Sequence, residues 1–134
     1  MVEILGGAVD KAQAKQLNPL VLAFVGDSVQ MLYIKTRLAL TRGCKSGKLH
    51  FLTAESVNAS AQAKTYEDIK GILNEEEMEV YKRARNAKTS SAAKNAKITE
   101  YRKATGFEAV LGYLYLSGQN DRLGQLLEAS CRSE

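Results

Sequence analysis

The chain has 134 residues, 45% of them hydrophobic, with 19 Lys or Arg against 15 Asp or Glu, a net charge of +4, one His and two Cys. That length builds one sizeable core and leaves no room for two ordinary domains, so a single domain over residues 1–134 is expected. Cys44 and Cys131 lack zinc-type spacing and make no disulfide scaffold, and no run approaches the roughly 18 continuous apolar residues of a membrane span or the order of a signal peptide. A cytoplasmic chain with no membrane partner is expected.

The single proline and the lack of period-two alternation predict an all-α fold, a helical bundle. Asn18-Pro19 is a helix-start signal, and the apolar pattern then runs from Leu20 to about Arg42 and stops at Gly43. After the Lys45-Ser46-Gly47-Lys48 turn, a short helical turn is expected at Leu49 to Leu52 and a helix from about Ala54 to Lys70, stopped by Gly71. Asn74 with Glu77 three positions on forms a capping box, with acids in the first turn and Lys82, Arg83, Arg85 and Lys88 toward the end, matching the helix dipole. Thr89 to Asn95 reads as a polar loop, Ile98 to Ser117 as an apolar helix ended by Gly118, and Asp121 to Arg132 as a last helix.

Two acids stand out. Asp27 lies within Ala23-Phe24-Val25-Gly26-Asp27-Ser28-Val29 and Glu108 within Gly106-Phe107-Glu108-Ala109-Val110-Leu111-Gly112, both on largely apolar faces. An ionised carboxylate taken out of water needs a partner, and a hard divalent cation is one. Buried hydrogen bonds or a pair with Arg37 or Arg85 are the structural alternatives. Gly26 and Gly112 lie within about a turn of these acids, where glycine costs about 0.8 to 1.0 kcal/mol relative to alanine. Close backbone approach between the two helices accounts for both.

Phe24-Val25-Gly26-Asp27-Ser28-Val29 resembles the signature helix of ribonuclease III, and Phe107-Glu108-Ala109-Val110-Leu111-Gly112 resembles its second acidic motif. Arg85-Asn86-Ala87-Lys88, the short length and the absence of a double-stranded-RNA-binding domain after Ser117 are similar to the Mini-ribonuclease III branch. The resemblance covers roughly Leu17 to Ala129, the expected core at about 17–129. It implies a ribonuclease III-type endonuclease domain, dimeric, cutting double-stranded RNA with magnesium (manganese as substitute), and leaving 5′-phosphate and 3′-hydroxyl ends. Asp27 and Glu108 are by resemblance the catalytic metal ligands. The precursor of large-subunit ribosomal RNA is the implied substrate, and a large-subunit ribosomal protein is a candidate partner. Ala23 and Thr105 stand where full-length ribonuclease III enzymes carry two further acids, which leaves the number of metal ions open.

From Lys82 to Lys103 there are eight Lys or Arg (Lys82, Arg83, Arg85, Lys88, Lys94, Lys97, Arg102, Lys103) against Glu100 alone, whereas Asp68 to Glu79 holds five acids and one Lys. That asymmetry resembles a phosphate-facing segment. Duplex RNA presents phosphates and 2′-hydroxyls, which call for spaced basic and small polar groups. The candidate contacts are Arg83, Arg85, Asn86, Lys88, Thr89, Ser90, Lys94 and Lys97, with Lys45, Ser46, Lys48 and His50 as a second set. A solvated basic face is the competing explanation, and for His50 the expectation is a structural or RNA-contacting role. Tyr113, Leu114, Tyr115 and Leu116 make one helix apolar nearly all round, which suggests burial in the core and against a second subunit. A duplex-binding module that does not cut, and a helical partner of the ribosome-assembly machinery, are the alternative functions.

Overall fold

The computed structural model describes residues 9–41, 45–87 and 98–131, and among them there are seven α-helices, one 3₁₀ turn and no strand. The helices are α1 Lys11–Gln16, α2 Pro19–Thr41, α3 Ser46–Val57, α4 Ala59–Ile69, α5 Glu75–Arg85, α6 Ile98–Leu116 and α7 Asn120–Ser130, with the 3₁₀ turn at Lys70–Ile72. The all-helical expectation holds. Gly43, Cys44, the polar loop Thr89 to Asn95, and Lys88, Thr89, Ser90, Lys94 and Lys97 lie outside the described residues.

Local chemistry sets most boundaries. Asn18 Oδ1 accepts from the Leu20 amide at 2.8 Å, so α2 begins at Pro19 as its start signal predicts. The Asn74 capping box is reciprocal: Oδ1 accepts from Glu77 N at 2.9 Å, and Asn74 N donates to Glu77 Oε1 at 3.0 Å. After α6, Gly118 takes φ of 73°, a left-handed conformation that suits a residue without Cβ. Helix α1, absent from the sequence reading, starts on a second capping box between Asp10 and Gln13.

The region between residues 46 and 70 corrects the sequence reading. A full helix spans Ser46–Val57 in place of a short turn, and the break falls at Asn58 rather than before Ala54. Asn58 terminates one helix and starts the next. Its Nδ2 donates to the carbonyls of Ala54 and Glu55 at 3.3 and 3.2 Å, while its Oδ1 accepts from Ala61 N at 2.8 Å. Its extended backbone, φ −72° and ψ 162°, is the geometry of an N-cap.

Helix α6 is the axis of the bundle, packed chiefly by α2, α5 and α4. Its run from Ala104 to Leu114 is buried except at Glu108. Tyr113 and Leu114 are therefore covered by the chain's own core. The apolar surface left outward lies instead mainly on α2, at Val21, Phe24 (77% exposed), Leu32 and Leu40, with Phe51 on α3. On the opposite side Arg122 of α7 clamps the buried Glu77 with Nε to Oε2 at 2.7 Å and Nη2 to Oε1 at 2.8 Å, and Nη2 also donates to the Ile72 carbonyl. This charge-assisted, two-armed contact joins α5, α7 and the 3₁₀ turn.

Helices α2 and α6 touch backbone to backbone. A Cβ on Gly26 would stand 1.7 Å from the Glu108 carbonyl oxygen, and one on Gly112 would stand 2.0 Å from that of Leu22. The two glycines are reciprocal halves of one crossing. Their expected role in close approach is what the structure has.

Candidate active site

The Gly26–Gly112 crossing decides where the two acids sit. Asp27 follows Gly26 on α2, and Glu108 supplies on α6 the carbonyl against which Gly26 packs. The carboxyl groups meet, and Glu108 shares a hydrogen bond with Asp27. Asp27 itself is exposed and Glu108 half-buried, so the pair opens to solvent rather than lying inside the core. The reason is that the Phe24 side of α2 has no covering helix among the described residues.

Burial of Glu108 raises its pKa from 4.5 to about 8, and Asp27 adds to the rise through its hydrogen bond and its charge, against a lowering by Gln62. A carboxyl group in that state holds a proton near neutrality unless a cation replaces it. Neither arginine named as a structural partner sits on the pair in that role: Arg37 lies 6.0 Å over the ring of Tyr33, and Arg85 lies 5.6 Å over Tyr81.

Two residues that the sequence reading passed over complete the site. Gln62 of α4 and Gln30 of α2 are both 3% exposed. Gln62 Nε2 donates to Glu108 Oε2 at 3.1 Å and to Gln30 Oε1 at 2.6 Å. Their signal was present in the periodicity. Gln62 falls in the buried stripe with Ala63, Tyr66 and Ile69, and Gln30 in the one with Ala23, Gly26 and Ile34. A polar residue in an apolar stripe requires a partner. Ala23 and Thr105 are buried, and Thr105 turns its hydroxyl back to the Tyr101 carbonyl at 3.0 Å. No group of three or more His, Cys, Asp or Glu fit to hold a metal is found among the described residues. Any ion at this site rests on two carboxylates.

The basic candidates lie elsewhere on the surface. Lys45 is the N-cap residue of α3, and Lys48 and His50 are exposed in that helix, which packs on α2. Arg83, Arg85 and Asn86 stand at the end of α5. Arg83 Nη1 donates to the Lys15 carbonyl on α1, and Arg85 Nε donates to Asn86 Oδ1 at 3.2 Å. Lys103 and Lys70 both bind Glu67, each at 2.6 Å, and hold its carboxyl down at about 2.

Residues 20–119 match the family model for the ribonuclease III domain. The chain is 45% identical over 125 residues to the Mini-ribonuclease 3 of Clostridium tetani, covering 92% of this chain and 83% of that one. It is 46% identical to that of Thermoanaerobacter sp., covering 85% and 80% respectively. The crystal structure of a protein from Fusobacterium nucleatum superimposes with a TM-score of 0.80 at 28% identity, covering 93% of this chain and 98% of that one.

Proposed function

Because this chain belongs to the ribonuclease III family, on its Mini-ribonuclease 3 branch, we propose that it is a divalent-metal-dependent endoribonuclease cutting double-stranded RNA, with Asp27 and Glu108 as catalytic metal ligands. The observation that carries the reading is the pair itself. Two carboxylates from different helices are pressed together by a glycine crossing, with a neutral amide as the side-chain donor to Glu108.

The donor set fits magnesium. It offers hard oxygen ligands, opens to solvent on the Asp27 side, and has a carboxyl group that burial and a neighbouring acid leave in need of a positive charge. Magnesium is held in many sites by one or two carboxylates and several waters, so the loss of acids at positions 23 and 105 leaves enough; manganese would serve as substitute. Bound there, the ion would supply Lewis acidity to the scissile phosphate and the attacking water. What the chain contributes is placement: Asp27 faces the solvent through which RNA arrives, and Glu108 is fixed behind it. Hydrolysis then leaves a 5′-phosphate and a 3′-hydroxyl.

For RNA contacts we assign Arg83, Arg85, Asn86, Lys88, Thr89, Ser90, Lys94 and Lys97, with Lys45, Lys48 and His50 as a second set. Phosphates and 2′-hydroxyls are the groups these side chains suit, and their binding weakens as salt is added. The chain acts as one catalytic domain over residues 1–134, in the cytoplasm, as a homodimer. The exposed row Val21, Phe24 and Leu32 on α2 is the surface that a second copy would cover, and it borders Asp27. A stem of the large-subunit ribosomal RNA precursor is the substrate we infer, with a large-subunit ribosomal protein as candidate partner.

The test is incubation with a long RNA duplex, with and without magnesium, beside Asp27→Asn. The expected result is cleavage that needs both the ion and the charge. A wild-type protein that binds the duplex yet leaves it intact across magnesium and manganese concentrations would establish a binding module in place of an enzyme.

A further inference from the structure

We propose that Gln62 is a positioning residue for the metal site, holding the Glu108 carboxylate in the orientation that binds the cation, and that Gln30 is its anchor. The inference rests on the reading of Asp27 and Glu108 as metal ligands.

Gln62 is 3% exposed, and a primary amide in that position is costly unless its hydrogens are used. Its Nε2 is shared between Gln30 Oε1 at 2.6 Å and Glu108 Oε2 at 3.1 Å. Asp27, Glu108, Gln62 and Gln30 thus form a hydrogen-bonded chain across α2, α6 and α4, and Gln30 lies three residues beyond Asp27 on α2. A glutamate side chain has three freely turning bonds. Donation to one of its oxygens fixes the carboxylate plane and leaves the remaining lone pairs for an ion.

The choice of amide matters chemically. A lysine or arginine at this position would satisfy the carboxylate and cancel the charge that attracts a cation. The neutral donor orients without competing. With alanine and threonine at positions 23 and 105, the two remaining acids carry the whole site, so the orientation of each has more effect on affinity.

The experiment is calorimetric titration of the metal alone, Mn²⁺ without RNA, into wild type, Asp27→Asn, Gln62→Met and the double variant Gln62→Met/Gln30→Leu. Methionine keeps the volume of Gln62 and removes its donor, and leucine at position 30 removes the amide that would otherwise be stranded. Thermal unfolding is measured on each. Loss of the orienting contact is expected to weaken Mn²⁺ binding by about 10-fold to 100-fold in both Gln62 variants. The double variant should regain folding stability without regaining affinity. Unchanged affinity in the Gln62 variants while Asp27→Asn abolishes binding would overturn the positioning role and leave the metal site standing. Unchanged affinity in Asp27→Asn would overturn the metal site and this inference with it.

Discussion

Glu108 is the residue on which the chemistry turns, and its protonation gives a signature independent of RNA. In the fold its carboxyl keeps a proton up to about pH 8, mainly because of burial and then because of Asp27, whereas in the unfolded chain it ionises near 4.5. Between those values the folded state binds more protons than the unfolded one. Stability of the metal-free protein therefore falls as pH rises from about 4.5 to about 8, and this contribution then levels off. Thermal unfolding in a chelator should show the fall in wild type, and Glu108→Gln should lack that component. Identical pH profiles for the two would contradict the assigned environment. Both acids were legible in the sequence as charges on apolar faces. Their partners carry no charge and show in the sequence only as polar residues within apolar stripes, and the neutral Gln30 and Gln62 complete the network as buried amides.

At the scale of elements, the crossing of α2 and α6 is the device that builds the site. Alanine at position 26 puts a Cβ 1.7 Å from a backbone oxygen that cannot turn aside, so the helices must separate. Overpacking of this kind costs about 1 to 3 kcal/mol or more, which outweighs alanine's helix-propensity advantage of about 1 kcal/mol. Gly26→Ala is expected to lower stability in urea unfolding and to weaken metal binding, since Glu108 moves with its backbone. Gly124 on α7 has nothing within 4 Å of a Cβ, so Gly124→Ala should stabilise by about 0.5 to 1 kcal/mol. Destabilisation equal at both positions would show that the crossing is not special. The glycines, the Asn18 and Asn74 caps and the Gly118 stop could all be read from local chemistry. The double role of Asn58 could not, because periodicity continues through it and only the geometry of its two neighbours shows that its side chain closes one helix while opening the next.

For the whole molecule, the sequence pointed to burial of Tyr113, Leu114, Tyr115 and Leu116 both in the core and against a second subunit, and the core part of that expectation is met at Tyr113 and Leu114. Tyr113 and Leu114 are buried where α2, α4, α5 and α7 pack on α6, and Tyr115 and Leu116 stay partly exposed. Periodicity does not say whether the partner of an apolar face lies in the same chain. Among the described residues most of the exposed large apolar side chains are on α2, with Phe24 77% exposed three residues before Asp27. A charge there should prevent association without touching the core: Phe24→Lys is expected to sediment as a folded monomer, with the wild type as a dimer. A wild type that sediments as a monomer would remove the dimer from the account and leave the carboxylate pair intact.

The most direct test of the central claim is single-turnover cleavage of a long RNA duplex by wild type and Glu108→Gln across a magnesium titration. Saturable, magnesium-dependent cleavage is expected from wild type and none from the variant, although both bind the duplex. Equal cleavage by the two proteins would contradict it, since no arrangement that leaves Glu108 dispensable is compatible with a site built from these two acids.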